Sequence, residues 1–147
     1  MYSTDTKFDT YWNLRLDRRG ILSKFSASDK TKALFEATQL IDNLNFEGDK
    51  LDSDQDDEFP RTGQTEVPTS IEEAANEIAY ALLDGRDVEF ELETMDTKGI
   101  SLGAARKSSS QKFISEAKVH GIPSEKAWRL LKPFLRDGQT FKMNRVS

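Results

Sequence analysis

Two blocks of this sequence repeat apolar or small residues at every third or fourth position, and no other feature limits the fold as much. Leu34, Ala37, Thr38, Ile41 and Leu44 share one face of a helix, as do Ile71, Ala74, Ala75, Ile78, Ala79 and Leu82. The alanines of the second stripe permit close helix approach. Ser28 is the expected N-cap of a helix running from Lys30 to about Asn45. The other starts after Pro68 with Thr69 or Ser70 as cap, has Glu72 and Glu73 in its first turn, and stops at Gly85. A shorter helix from about Thr4 to Asp17 precedes them. It carries Phe8, Tyr11, Trp12 and Leu16 on one face and ends at Arg18, Arg19 and Gly20.

After Gly85 the period changes. Val88, Phe90 and Leu92 alternate with Asp87, Glu89, Glu91 and Glu93, the pattern of a half-buried strand, and Ile100 and Leu102 begin a return strand. Gly103 to Gly121 is rich in Ser and Lys and reads as a loop, an extended arm or a weak helix around Gln111–Val119. A last helix follows Pro123, capped by Ser124, with Ala127, Leu130, Leu131 and Phe134 on one face. The expected fold is mainly α: a small bundle of three main helices, an inserted β-hairpin, an extended C-terminal arm and a short C-terminal helix. One domain is expected over 1–147, since 147 residues suit a single core. It divides into a helical core (1–86) holding an acidic loop (47–67), a hairpin (87–105), and a basic arm, short helix and tail (106–147).

Charge narrows the function. The net charge is −5, which argues against sequence-independent duplex binding. Residues 1–97 hold 10 Lys and Arg against 23 Asp and Glu, whereas residues 98–147 hold 11 against 3. A chain this polar along its length suits a basic partner at one end and an acidic one at the other, a head-to-tail interface between copies, or two halves that neutralise each other when folding brings them together. Cysteine is absent and His120 is the single histidine, so disulfides, thiolate sites and multi-histidine metal centres are excluded. No apolar run reaches the roughly 20 residues of a membrane span, and no membrane partner is expected.

Asp52, Asp54 and Asp56 have the opening spacing of a calcium loop, but Asp57 stands where that loop needs Gly and Gly63 where it needs Glu. No phosphate-binding loop, triad or tuned carboxylate pair is present, so neither an enzyme nor a cofactor is expected. Arg106, Lys107, Lys112 and Lys118 surround one aromatic, Phe113, which is thin for a single-strand binder. Pro60, Arg61 and Gly63 form a stiff turn. Arg61 is expected to pin that loop to the helices through a bidentate carboxylate pair.

A set of motifs carries a resemblance. It comprises Tyr11-Trp12 and Arg15-Leu16, then Ala37-Thr38 with Leu40-Ile41-Asp42, then Phe46, Gly48 and Lys50, then Phe59-Pro60-Arg61-Thr62-Gly63, then Val67-Pro68 and the helix to Gly85. Together they resemble a family of tailed-bacteriophage proteins often labelled DnaT-like single-stranded-DNA-binding, many of which are similar to head-tail adaptor (connector, head completion) proteins. The resemblance implies a virion protein of the head-tail neck, assembled in the host cytoplasm. It would be a subunit of a ring, expected as a dodecamer, that docks on the portal and joins a tail or neck protein.

In that reading Asp87, Glu89, Glu91 and Glu93 line a channel that genomic DNA passes without specific binding. Ser101, Leu102, Arg106, Lys107 and Phe113 reach the neighbouring subunit, and Phe141, Lys142, Met143, Arg145 and Val146 dock on the portal. The family label carries the alternative, a single-stranded-DNA-binding, primosome-like accessory protein.

Overall fold

The computed structural model describes residues 1–94 and 114–136. Six helices make up the described fold: α1 (Asp5–Asn13), α2 (Ala27–Asp42), α3 (Thr69–Leu83), α4 (residues 88–94), α5 (Glu116–Val119) and α6 (Glu125–Leu131). Short 3-10 turns cover Leu22–Lys24 and Lys132–Phe134.

The central pair is α2 against α3. Leu34, Ala37 and Ile41 meet Ile71, Ala74, Ala75 and Ile78, all fully buried. The other side of α3 receives α6 through Ala127 and Leu131, and α1 closes the core with Phe8, Tyr11 and Trp12. At roughly 1.5–3 kcal/mol per large apolar side chain, these stripes are the main source of stability. Leu16 departs from the expected α1 face. The helix stops at Asn13 and Leu16 is 71% exposed.

Caps set the helix starts. Thr4 accepts from the Lys7 amide and Ser124 from the Ala127 amide. The cap of α2 is Ser26, two residues before the expected Ser28. Its hydroxyl accepts from the Asp29 amide while the Asp29 carboxylate accepts from the Ser26 amide, a reciprocal box that Ser28 cannot form. Pro68 occupies the cap position of α3 without a side-chain bond, and Thr69 is the first helical residue.

The expected β-hairpin is corrected. The described residues contain only two isolated bridges, Phe46 with Leu135 and Lys50 with Arg61, and neither strand nor sheet. Residues 88–94 are helical. The Asp87 carboxylate accepts from the Phe90 amide and its carbonyl from the Glu91 amide at 3.0 Å, which caps and starts a helix. Val88 and Leu92 lie four apart and so share a helical face, whereas Phe90 points elsewhere and is 65% exposed. Alternation over so few residues fits either period, and the aspartate cap decides for the helix. The proposed return strand and the arm contacts at Ser101, Leu102, Arg106, Lys107 and Phe113 lie outside the described residues. So do Phe141, Lys142, Met143, Arg145 and Val146.

Around Pro60 the chain is held from both sides. Phe59 is buried against Tyr2, Phe46 and Phe134, with ring centroids 6.0, 4.7 and 5.5 Å away and edge-to-face geometry. The Tyr2 hydroxyl accepts from the Phe59 amide at 3.1 Å and donates to the Asp42 carboxylate. Burial raises the Asp42 carboxyl above its ordinary range, against the pull of the Tyr2 hydroxyl.

Candidate functional site

Along α6 the apolar residues Ala127, Trp128 and Leu131 face the core, so every residue on the opposite side meets solvent. That side carries Lys126 and Arg129, with Lys132 and Arg136 following the helix, all exposed; Glu125 is the one carboxylate on the helix itself, and Glu77 and Glu116 reach in from neighbouring elements. Lys126, Arg129 and Lys132, three residues apart, form a ridge that reaches the 3-10 turn, and Arg136 follows beyond it, past the extended Leu135. Lys126 and Lys132 are about 9 Å apart along the axis at a helical rise of ~1.5 Å per residue. Arg129 makes no ion pair among the described residues.

Each end of the ridge borders a hollow. At the Lys126 end a cleft of about 420 Å³ is lined by Trp12, Arg15, Leu16, Arg18, Arg19, Glu77 and Tyr80. Trp12 stacks on Tyr80 at 4.2 Å, and the Arg15 guanidinium sits 3.5 Å over the Tyr11 ring. The cations here are partly neutralised. Lys126 pairs with Glu77 at 3.1 Å, Arg15 with Glu73 at 3.4 Å and Arg19 with Asp84 at 3.5 Å, whereas Arg18 has no ion pair among the described residues. The Tyr11 hydroxyl is pushed well above its ordinary range, first by burial and then by its bond to Glu77. The Tyr80 hydroxyl donates to Asp17 at 2.7 Å and lowers that carboxyl, fixing the turn that carries Arg18 and Arg19.

At the Lys132 end a hollow of about 220 Å³ lies among Asn43, Leu44, Asn45, Glu116, His120, Trp128 and Leu135. Lys132 reaches Glu116 at 3.1 Å and lowers its carboxyl. Both partners are 54% exposed, so the pair is worth little and exchanges readily with another anion.

A row of exposed cations between two aromatic hollows can neutralise a string of anionic groups and offer ring faces beside them. A larger cleft of about 630 Å³, between α2, α3 and α4, has the opposite character. Glu36, Asp87 and Glu89 line it, and its Arg86 is engaged with Glu91 at 2.6 Å. No cluster of three or more His, Cys, Asp or Glu able to hold a metal ion occurs among the described residues. No described helix is long and apolar enough to cross a membrane.

The residues singled out from sequence are dispersed by this geometry. Asp87, Glu89, Glu91 and Glu93 were placed on one side of a strand. On a helix, alternate residues point in nearly opposite directions, Asp87 is a cap, and Glu91 is held by Arg86 and Lys118. Arg61 is buried, and its one carboxylate partner is Glu58. Its other bonds go to the carbonyls of Phe46, Glu47, Gly48 and Glu58. The basic ridge was missed. Its signal is legible in the last helix, where lysine and arginine recur at three and four residues opposite the apolar face.

A family model described as "Putative DnaT-like ssDNA binding protein" matches residues 2–146. No curated protein and no solved structure matches the chain. The expectation of a bacteriophage virion protein, a head-tail connector ring with an ejection channel, is corrected by this match. The description concerns single-stranded DNA and names neither virion, portal nor tail.

Proposed function

The chain belongs to the DnaT-like ssDNA-binding protein family, and from that premise we propose that it is a single-stranded-DNA-binding accessory protein that holds the strand along α6. The observation that carries this reading is the ridge of Lys126, Arg129 and Lys132: Arg129 makes no ion pair among the described residues, and Lys126 and Lys132, though paired with Glu77 and Glu116, keep about half of their side chains exposed. Phosphates are met by such cations without regard to sequence. The overall charge of −5 does not oppose this. Fields are screened within about 8 Å at physiological salt, so a strand on the ridge senses the local cations rather than the sum. The expectation that DNA passes without binding gives way to a direct interaction.

Titrating labelled oligothymidylate at several salt concentrations, with anisotropy as readout, tests the proposal. Affinity is expected to fall with salt, the logarithmic slope amounting to roughly −0.7 per phosphate neutralised on a single strand. Replacing Arg129 and Lys132 together by alanine should weaken binding and make the slope shallower by about 1.4. Absence of binding at low salt, or a double variant indistinguishable from the original, overturns the proposal.

A further inference from the structure

Phosphate contacts alone do not distinguish a single strand from a duplex, whereas a contact with the face of an unpaired base does. The hollow beside Lys132 holds a ring suited to that contact. His120 closes α5 and is exposed. Its imidazole lies parallel to the Trp128 indole, with centroids 4.8 Å apart and planes 12° apart. Trp128 is only 4% exposed and is fixed in the core, so it covers one imidazole face and sets its orientation. The His120 amide bonds to the carbonyls of Glu116 and Ala117, and Gly121 turns the chain at a φ of 80° directly after it. That left-handed turn suits glycine, and it holds the ring at the rim of the hollow.

We propose that His120, backed by Trp128, is a stacking platform for one unpaired base, with Lys132 holding the adjoining phosphate. This rests on the single-stranded-DNA reading above. Two parallel aromatic layers already in place are extended by a third, and little order has to be imposed on binding. Every base has a ring face, so the platform selects single strands and tolerates sequence.

The experiment compares oligothymidylate with a duplex of equal length, for the original protein and for His120→Ala and His120→Phe. The platform is expected to give tighter binding to the single strand. His120→Ala should lose about tenfold on the single strand, the scale of one base-aromatic stack, with duplex affinity and salt slope unchanged. His120→Phe should restore the loss. Equal affinity of His120→Ala for the single strand, an equal loss on both substrates, or failure of His120→Phe to restore binding overturns the platform. The ridge reading survives these results if the Arg129 and Lys132 variant still weakens binding. A protein that binds no single strand at all overturns both.

Discussion

A guanidinium offers five donors in a rigid fork, and Arg61 turns that fork inward. It bonds to the carbonyls of Phe46, Glu47 and Gly48 on one side and to Glu58 on the other, and it is only 7% exposed. The two ends of the acidic stretch are thereby clasped by one side chain, which also gives the buried Phe46 carbonyl a partner. Lysine keeps the charge but presents its donors from a single point. Arg61→Lys is therefore expected to cost about 2–3 kcal/mol, the scale of losing charged hydrogen bonds to buried acceptors. A shift of the urea midpoint measures it, and an unmoved midpoint refutes the clasp. Sequence alone showed that Arg61 sat in a stiff turn among carboxylates. It did not show that main-chain carbonyls would be the chief partners, because those are brought together only by the fold.

Helix pairing governs the next scale. Ile78 is fully buried where α3 meets its neighbours. Ile78→Asp places a carboxylate there without a partner and is expected to cost several kcal/mol, seen as loss of the circular dichroism signal at ordinary temperature. A melting curve equal to the original would refute the packing. The α2 and α3 stripes were legible because each repeats over several turns. Helix α4 was not, since Val88, Phe90 and Leu92 satisfy a period of two and the first and last also satisfy a spacing of four. The bonds from the Phe90 amide to the Asp87 carboxylate and from the Glu91 amide to the Asp87 carbonyl separate the alternatives. The face of α6 was misjudged for another reason. Its apolar side was read for packing and its cations were counted only in the net charge of the C-terminal third, so their shared face went unseen.

At the scale of the molecule, two oppositely charged regions stand out among the described residues. The ridge is basic, while Asp49, Asp52, Asp54, Asp56, Asp57 and Glu58 gather in the clasped loop. Asp52, Asp54 and Asp56 are exposed, so asparagine at all three positions removes charge at little expense in packing. That variant is expected to bind oligothymidylate more tightly at low salt, by about two- to fivefold. The gain should vanish near 1 M salt, where screening acts within about 3 Å. Anisotropy across a salt series reads both effects. A gain that persists at high salt would mean that contacts, not repulsion, had changed.

The cation just past the ridge is tied down. Arg136 donates to the Gly48 carbonyl at 3.3 Å, one residue before the loop carboxylates begin. On the single-stranded-DNA reading, a polyanion following α6 would meet a fence of carboxylates there, and one molecule would occupy only a short stretch of strand. Longer strands would be covered as beads are strung, by adding molecules side by side, with stoichiometry rising in step with nucleotide count.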